Sequence, residues 1–119
     1  MTAAPLHLVV VNTPIGALGS GEGGGVELTL RSLVQGLVRR GHRLTVVAAK
    51  GSTLPDDCSG VELLEVEGVN QPSWQHAAEL APVEIPRNGL LPALWETALD
   101  AGQSADAVIN GGYDWLPIW

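Results

Sequence analysis

Residues 6–27 read LHLVVVNTPIGALGSGEGGGVE. The stretch opens with an apolar run from Leu6 to Val11, interrupted only by His7, and closes that run with Asn12-Thr13-Pro14. A continuous apolar segment of this length is the pattern of a strand covered on both faces, as in a parallel sheet. Glycine then stands at positions 16, 19, 21, 23, 24 and 25. Each glycine costs backbone entropy when it is ordered, so such a loop predicts a place where backbone must come close to something. Set between a strand and a helix start, it offers backbone N–H groups and the positive end of a helix dipole, the recurring means of holding phosphate groups.

Downstream of the loop the apolar period changes. Val26, Leu30, Leu33, Val34, Leu37 and Val38 fall on one helical stripe, with Arg31, Gln35 and Arg39 opposite. Glu27 lies in the first turn, Arg39 and Arg40 lie in the last, and Gly41 follows as a stop, so charge and capping signals agree with the period. Leu44–Ala49 returns to a β-branched apolar run, which completes a strand–helix–strand unit. Val61–Val66, with glutamates at 62 and 65, predicts a third strand nearer an edge. Residues 68–88 carry three prolines and no long period, although Pro72–Leu80 has room for a short helix. A second helix is predicted over Leu90–Ala101, with Leu91, Leu94, Trp95, Ala98 and Leu99 inward and Gly102 as its stop, and Asp106–Asn110 reads as a fourth strand. This order predicts an α/β fold: a Rossmann-like open parallel sheet of about four strands with flanking helices, in which ligands collect at the carboxyl ends of the strands.

Composition narrows the function classes. The chain has 119 residues, enough for one ordinary domain, and its apolar fraction of 45% with no Phe predicts a core of Leu, Val, Ile and Ala. A net charge of -7, with Lys50 the only lysine, argues against a nucleic-acid partner, because that affinity comes from neutralising phosphates with Lys and Arg. Arg39, Arg40 and Arg43 form a small basic patch that a solvated helix end explains. Cys58 is the single cysteine, so neither an intrachain disulfide nor a thiolate zinc cluster can form. His7, His42 and His76 lack metal-ligand spacing, and no metal site is expected. No transmembrane segment or leader is read from the sequence, which makes a cytoplasmic location the expectation.

Several phosphate ligands are conceivable for the glycine loop. Gly19, Gly21 and Gly24 satisfy G-x-G-x-x-G, but they come well after Asn12, whereas the dinucleotide fingerprint turns tightly out of its strand. The second strand ends in Ala49-Lys50-Gly51, without the acid that grips an NAD ribose, while Lys50 would suit the 2'-phosphate of NADP. A P-loop is excluded, since no Gly-Lys-Ser/Thr follows the glycines.

The run Gly24-Gly25-Val26-Glu27 at the helix start, followed by Leu37-Val38-Arg39-Arg40-Gly41-His42-Arg43-Leu44-Thr45-Val46-Val47, resembles the N-terminus of family 4 glycosyltransferases. Asp106-Ala107-Val108-Ile109-Asn110, followed by Tyr113-Asp114-Trp115-Leu116-Pro117, is similar to that family's fourth strand and the loop after it. Many members place histidines there. This chain has Asn110, Gly111 and Gly112, so no histidine role carries over. The resemblance implies an incomplete N-terminal, acceptor-side half of a GT-B enzyme whose donor-binding domain is absent from residues 1–119. It implies retaining sugar transfer from a nucleotide sugar without an obligatory metal or cofactor. Gly23, Gly24, Gly25 and Glu27 would then face the donor phosphates, and Asn110, Tyr113 and Asp114 the acceptor, with the catalytic residues unassigned. Glu27 has an equally good reading as a first-turn carboxylate favoured by the helix dipole, and Asp114 as a turn or helix cap. Trp115 is the better candidate for a sugar-stacking face, and Trp95 for the core. The chain alone is expected to be inactive and to expose an unpaired sheet edge that favours self-association. The alternative is a small Rossmann-like module that binds a nucleotide or NADP without catalysis.

Overall fold

The computed structural model of the chain describes residues 4–70 and 86–112. The proposed Pro72–Leu80 helix, His76, Tyr113, Asp114 and Trp115 lie outside them. Four strands form one all-parallel sheet in the order β3-β2-β1-β4: β1 is His7–Val11, β2 Arg43–Ala49, β3 Glu62–Val66 and β4 Ala107–Asn110. Helix α1 (Gly24–Arg39) joins β1 to β2, and helix α2 (Leu90–Gly102) precedes β4. A short 3-10 turn, Asp56–Cys58, sits between β2 and β3. The Rossmann-like open sheet expected from the sequence is therefore present, with element boundaries shifted by a residue or two.

Strand alternation divides the core in two. Leu8 and Val10 of β1, with Leu44, Val46 and Ala48 of β2, pack under Leu30 and Val34 of α1. Val9, Val11 and Val47 point the other way and pack against Leu90, Leu91, Leu94, Trp95 and Ala98 of α2. Both faces of β1 and β2 are thus covered, which is why their sequences are continuous apolar runs. Chain direction across the sheet explains the two layers: parallel crossovers keep one hand, so reversing from the β2 side to the β4 side moves the connecting helix to the opposite face. Each fully buried Leu or Val contributes about 1.5–3 kcal/mol, so these two clusters carry most of the fold.

Two stripe residues differ from expectation. Leu33 is 37% exposed and Leu99 67% exposed, both on the flanks of their helices nearest β4. Nothing among the described residues covers the outer side of that strand, and Val108 within it is 42% exposed. At the amino end of the sheet, His7 serves structure: its Nε2 is 2.9 Å from Thr45 Oγ1, and its N–H donates to Asp106 Oδ2 at 2.7 Å. No helix among the described residues is long and apolar enough to cross a membrane, and no group of His, Cys, Asp and Glu among them is placed to hold a metal.

Candidate functional site

Strand order reverses between β1 and β4, since β1 is followed by β2 on one side while β4 lies on the other. Crevices at such switch points, outside the carboxyl ends, are where open α/β sheets bind ligands. Here the crevice is a groove of ≈ 640 Å³ bounded by Gly25, Val26 and Thr29 in the first turns of α1, by Leu30 and Leu33, and by Ile109, Asn110 and Gly111 at the end of β4. That size is ordinary for a small-molecule site. Gly111 is held by its N–H to Val11 O at 2.8 Å, and a Cβ there would run into Val11 O and the Leu30 side chain. Glycine at 111 thus lets the β4 end pass close beneath α1.

The glycine loop is organised from within. Glu27 is 2% exposed, and its carboxylate points back into the loop rather than out to solvent. Oε1 accepts the N–H of Gly19 at 2.6 Å and of Gly21 at 3.0 Å, and Oε2 accepts that of Gly23 at 2.9 Å. Positive φ at Gly19 and Gly21 turns these amides to one side, which a residue with a Cβ rarely allows. Burial pushes the Glu27 carboxyl up. The amides of Gly21, Gly23 and Gly19 and the Arg31 charge more than offset that, leaving it below its ordinary value of 4.5. The anion in this nest is therefore the chain's own side chain.

That arrangement sorts the four residues expected to face phosphate. The Gly23 N–H is taken by Glu27, and Gly24 N–H donates to Gly21 O at 3.3 Å. Gly24 and Gly25 are exposed, and a Cβ on either would meet nothing within 4 Å. The first-turn N–H groups of Gly25 and Val26 have no carbonyl one turn earlier within the helix to accept them. They border the groove, together with Asn110 from the acceptor-side set, so the two sets meet at one crevice through Gly25 and Asn110. Asn110 Oδ1 accepts the Gly112 N–H at 2.9 Å. Tyr113 and Asp114, the other acceptor-side residues, lie outside the described residues.

On the other side of the loop, Lys50 Nζ lies 3.0 Å from Glu67 Oε1. That hydrogen bond, with the Glu67 and Glu65 charges, raises the Lys50 amine above its ordinary value.

Asn12 is a residue that the sequence marked only as a strand end. It is 2% exposed at the tip of β1, its N–H donates to Val47 O at 2.9 Å, and its Oδ1 has no hydrogen-bond partner among the described residues. A buried acceptor without a partner costs about 1–3 kcal/mol. Its position in the sequence, directly after an apolar strand and before a glycine loop, is the signal that could have singled it out.

No protein-family model matches this chain, and no curated protein matches it significantly.

Proposed function

We propose that this chain is the N-terminal, acceptor-side portion of a nucleotide-sugar-dependent glycosyltransferase of the GT-B kind. The groove at the β1/β4 switch point would meet the donor diphosphate and the acceptor. The observation that carries this reading is Gly25. Its φ is not in the left-handed region, its Cβ position is open, and it sits in the first turn of α1, so the backbone does not demand glycine there. Glycine in a helix costs about 0.5–1 kcal/mol relative to alanine. Glycine there leaves the first-turn N–H groups unscreened by a side chain, which suits a ligand whose charged oxygens approach the backbone directly. Developing negative charge on a diphosphate leaving group would be met by such amides and by the positive end of α1.

The residues that grip the nucleotide sugar in this class belong to a second domain, so residues 1–119 assayed alone are expected to transfer no sugar. The alternative of an NADP module leans on Lys50. The carboxylates around that amine weaken it as a receptor for a 2'-phosphate.

Titrating the ¹⁵N-labelled chain with pyrophosphate, then with UDP and ADP, tests the proposal. Amide shifts concentrated at Gly25, Val26 and Gly111 are expected. No movement at these amides, or a Trp fluorescence response to NADP stronger than to any diphosphate, would refute it, as would sugar transfer by the purified chain alone.

A further inference from the structure

The cavity on the β2/β3 side of the glycine loop differs chemically from the β4 groove. It measures ≈ 430 Å³ and its walls include Gly16, Ser20 and Glu22 of the loop, Lys50 at the end of β2, Glu67 just past β3, and Asn70. In doubly wound sheets a carboxylate at the tip of β2 takes the hydroxyls of a ribose. Here β2 ends without an acid, and the neighbouring strand supplies one. The parallel register sets Ala49 opposite Val66, and Lys50 N–H donates to Val66 O at 2.8 Å. Glu67, the next residue, is thereby brought to the Lys50 amine.

We infer that this cavity binds the vicinal diol of a neutral, hydroxyl-rich ring, with Glu67 accepting from the hydroxyls and Lys50 and Asn70 donating to them. The Lys50–Glu67 pair is 72% and 77% exposed, and exposed pairs of this kind are weak, so hydroxyls insert between its members at little cost. Asn70 Oδ1 is engaged by the Gly16 N–H at 3.0 Å, which leaves its Nδ2 as the donor. Charge excludes an anion: Glu22 and Glu67 line the cavity against the single Lys50, and Glu65 lies alongside, accepting the Gly51 N–H at 2.9 Å. A ring with paired hydroxyls and no phosphate matches that set of donors and acceptors. The inference stands on this cavity's own chemistry and does not need the transferase reading.

The test uses the whole ¹⁵N-labelled chain and follows the amides of Gly16, Gly51 and Gly68 during titration with adenosine, 2'-deoxyadenosine, 2'-AMP and myo-inositol. Adenosine or inositol moves these amides, and 2'-deoxyadenosine binds at least about fivefold more weakly than adenosine, the factor for one lost hydrogen bond. Glu67→Gln and Lys50→Met, both at exposed positions, each weaken binding by about the same factor without changing the remaining spectrum. A response to adenosine alone identifies a nucleoside as the source of the diol, and a response to inositol alone identifies a sugar or cyclitol. No movement with any probe overturns the inference, as does equal binding of the deoxy compound or tightest binding of 2'-AMP. Movement confined to Gly25, Val26 and Gly111 also overturns it, while leaving the β4 groove reading intact.

Discussion

Replacing Glu27 with Gln changes one atom and the charge, and the structure says what each change costs. Oε1 can stay where it is and continue to accept from Gly19 and Gly21, but the two bonds lose their ionic character. The new amide nitrogen faces the Gly23 N–H, so a donor meets a donor. Hydrogen bonds to charged groups contribute about 1.5–3 kcal/mol against about 1 for neutral ones, and a buried donor left without an acceptor costs about 1–3 kcal/mol. Gly19 and Gly21 are exposed, so water recovers part of this loss. The expected destabilisation is about 2–3 kcal/mol, a large share of the 5–15 kcal/mol that typically holds a domain together. A loss of that size lowers Tm by roughly 10 °C for a domain of this length.

The same carboxylate sets an acid limit. Its folded value lies below 4.5, so its contribution is complete above the ordinary glutamate range and is lost as pH falls through the depressed folded value. Wild type and Glu27→Gln should therefore differ near neutrality, and the gap should narrow as pH falls below 4.5 and through the depressed folded value. Urea unfolding followed by Trp fluorescence, run for both proteins across that range, measures the gap directly. A gap under about 0.5 kcal/mol near neutrality, within the range of ordinary surface changes, would refute the claim that Glu27 holds the loop. So would a gap that does not change with pH.

Three further outcomes follow from particular residues. Gly25→Ala and Gly36→Ala should each raise stability by about 0.5–1 kcal/mol, because neither glycine is conformationally required, but only Gly25→Ala should weaken pyrophosphate binding; equal binding by both variants would detach the groove from phosphate. Cys58 is 3% exposed and burial pushes its thiol up, so iodoacetamide should label it only as fast as the chain unfolds, and rapid labelling of the native protein would contradict its placement. The open β4 edge should drive self-association at high concentration, reduced by Leu99→Lys or Val108→Lys, which light scattering detects; a monomer at every concentration would count against an exposed adhesive edge.

The sheet was legible because burial on both faces leaves its mark on sequence. Val9, Val10, Val46 and Val47 could be read as strand interior from their neighbours alone, and Gly41 and Glu27 marked the ends of α1 without tertiary knowledge. Leu33 and Leu99 lie on the apolar stripes of their helices yet are exposed, for a reason that period alone cannot reveal. A stripe shows which side of a helix is apolar, but how far the cover extends depends on which strand lies beneath, and β4 is the last strand described. Glu62 and Glu65 did identify β3 as an edge, because charge along a strand reports solvent more directly than apolarity reports burial.

The site was less legible, and Glu27 shows why. From sequence, a carboxylate in the first turn of a helix beside a glycine loop has two ordinary roles, binding a ligand or balancing the dipole. The third, reaching back to satisfy the loop's own amides, depends on φ at Gly19 and Gly21, which composition does not encode. The structural consequence is a division of labour within one loop. Gly19, Gly21 and Gly23 are turned inward onto Glu27, which fixes the loop's path across the mouth of the sheet. Gly24 and Gly25 are left outward at the helix start, where no side chain intervenes. An anion arriving from solvent would have to displace a buried carboxylate with three bonds to reach the inner amides, whereas the Gly25 amide at the helix start has no carbonyl one turn earlier within the helix to accept it. Any phosphate recognition by this chain therefore belongs to the start of α1 and not to the G-x-G-x-x-G match at Gly19, Gly21 and Gly24, two of whose amides bond within the loop and a third to Gly21 O.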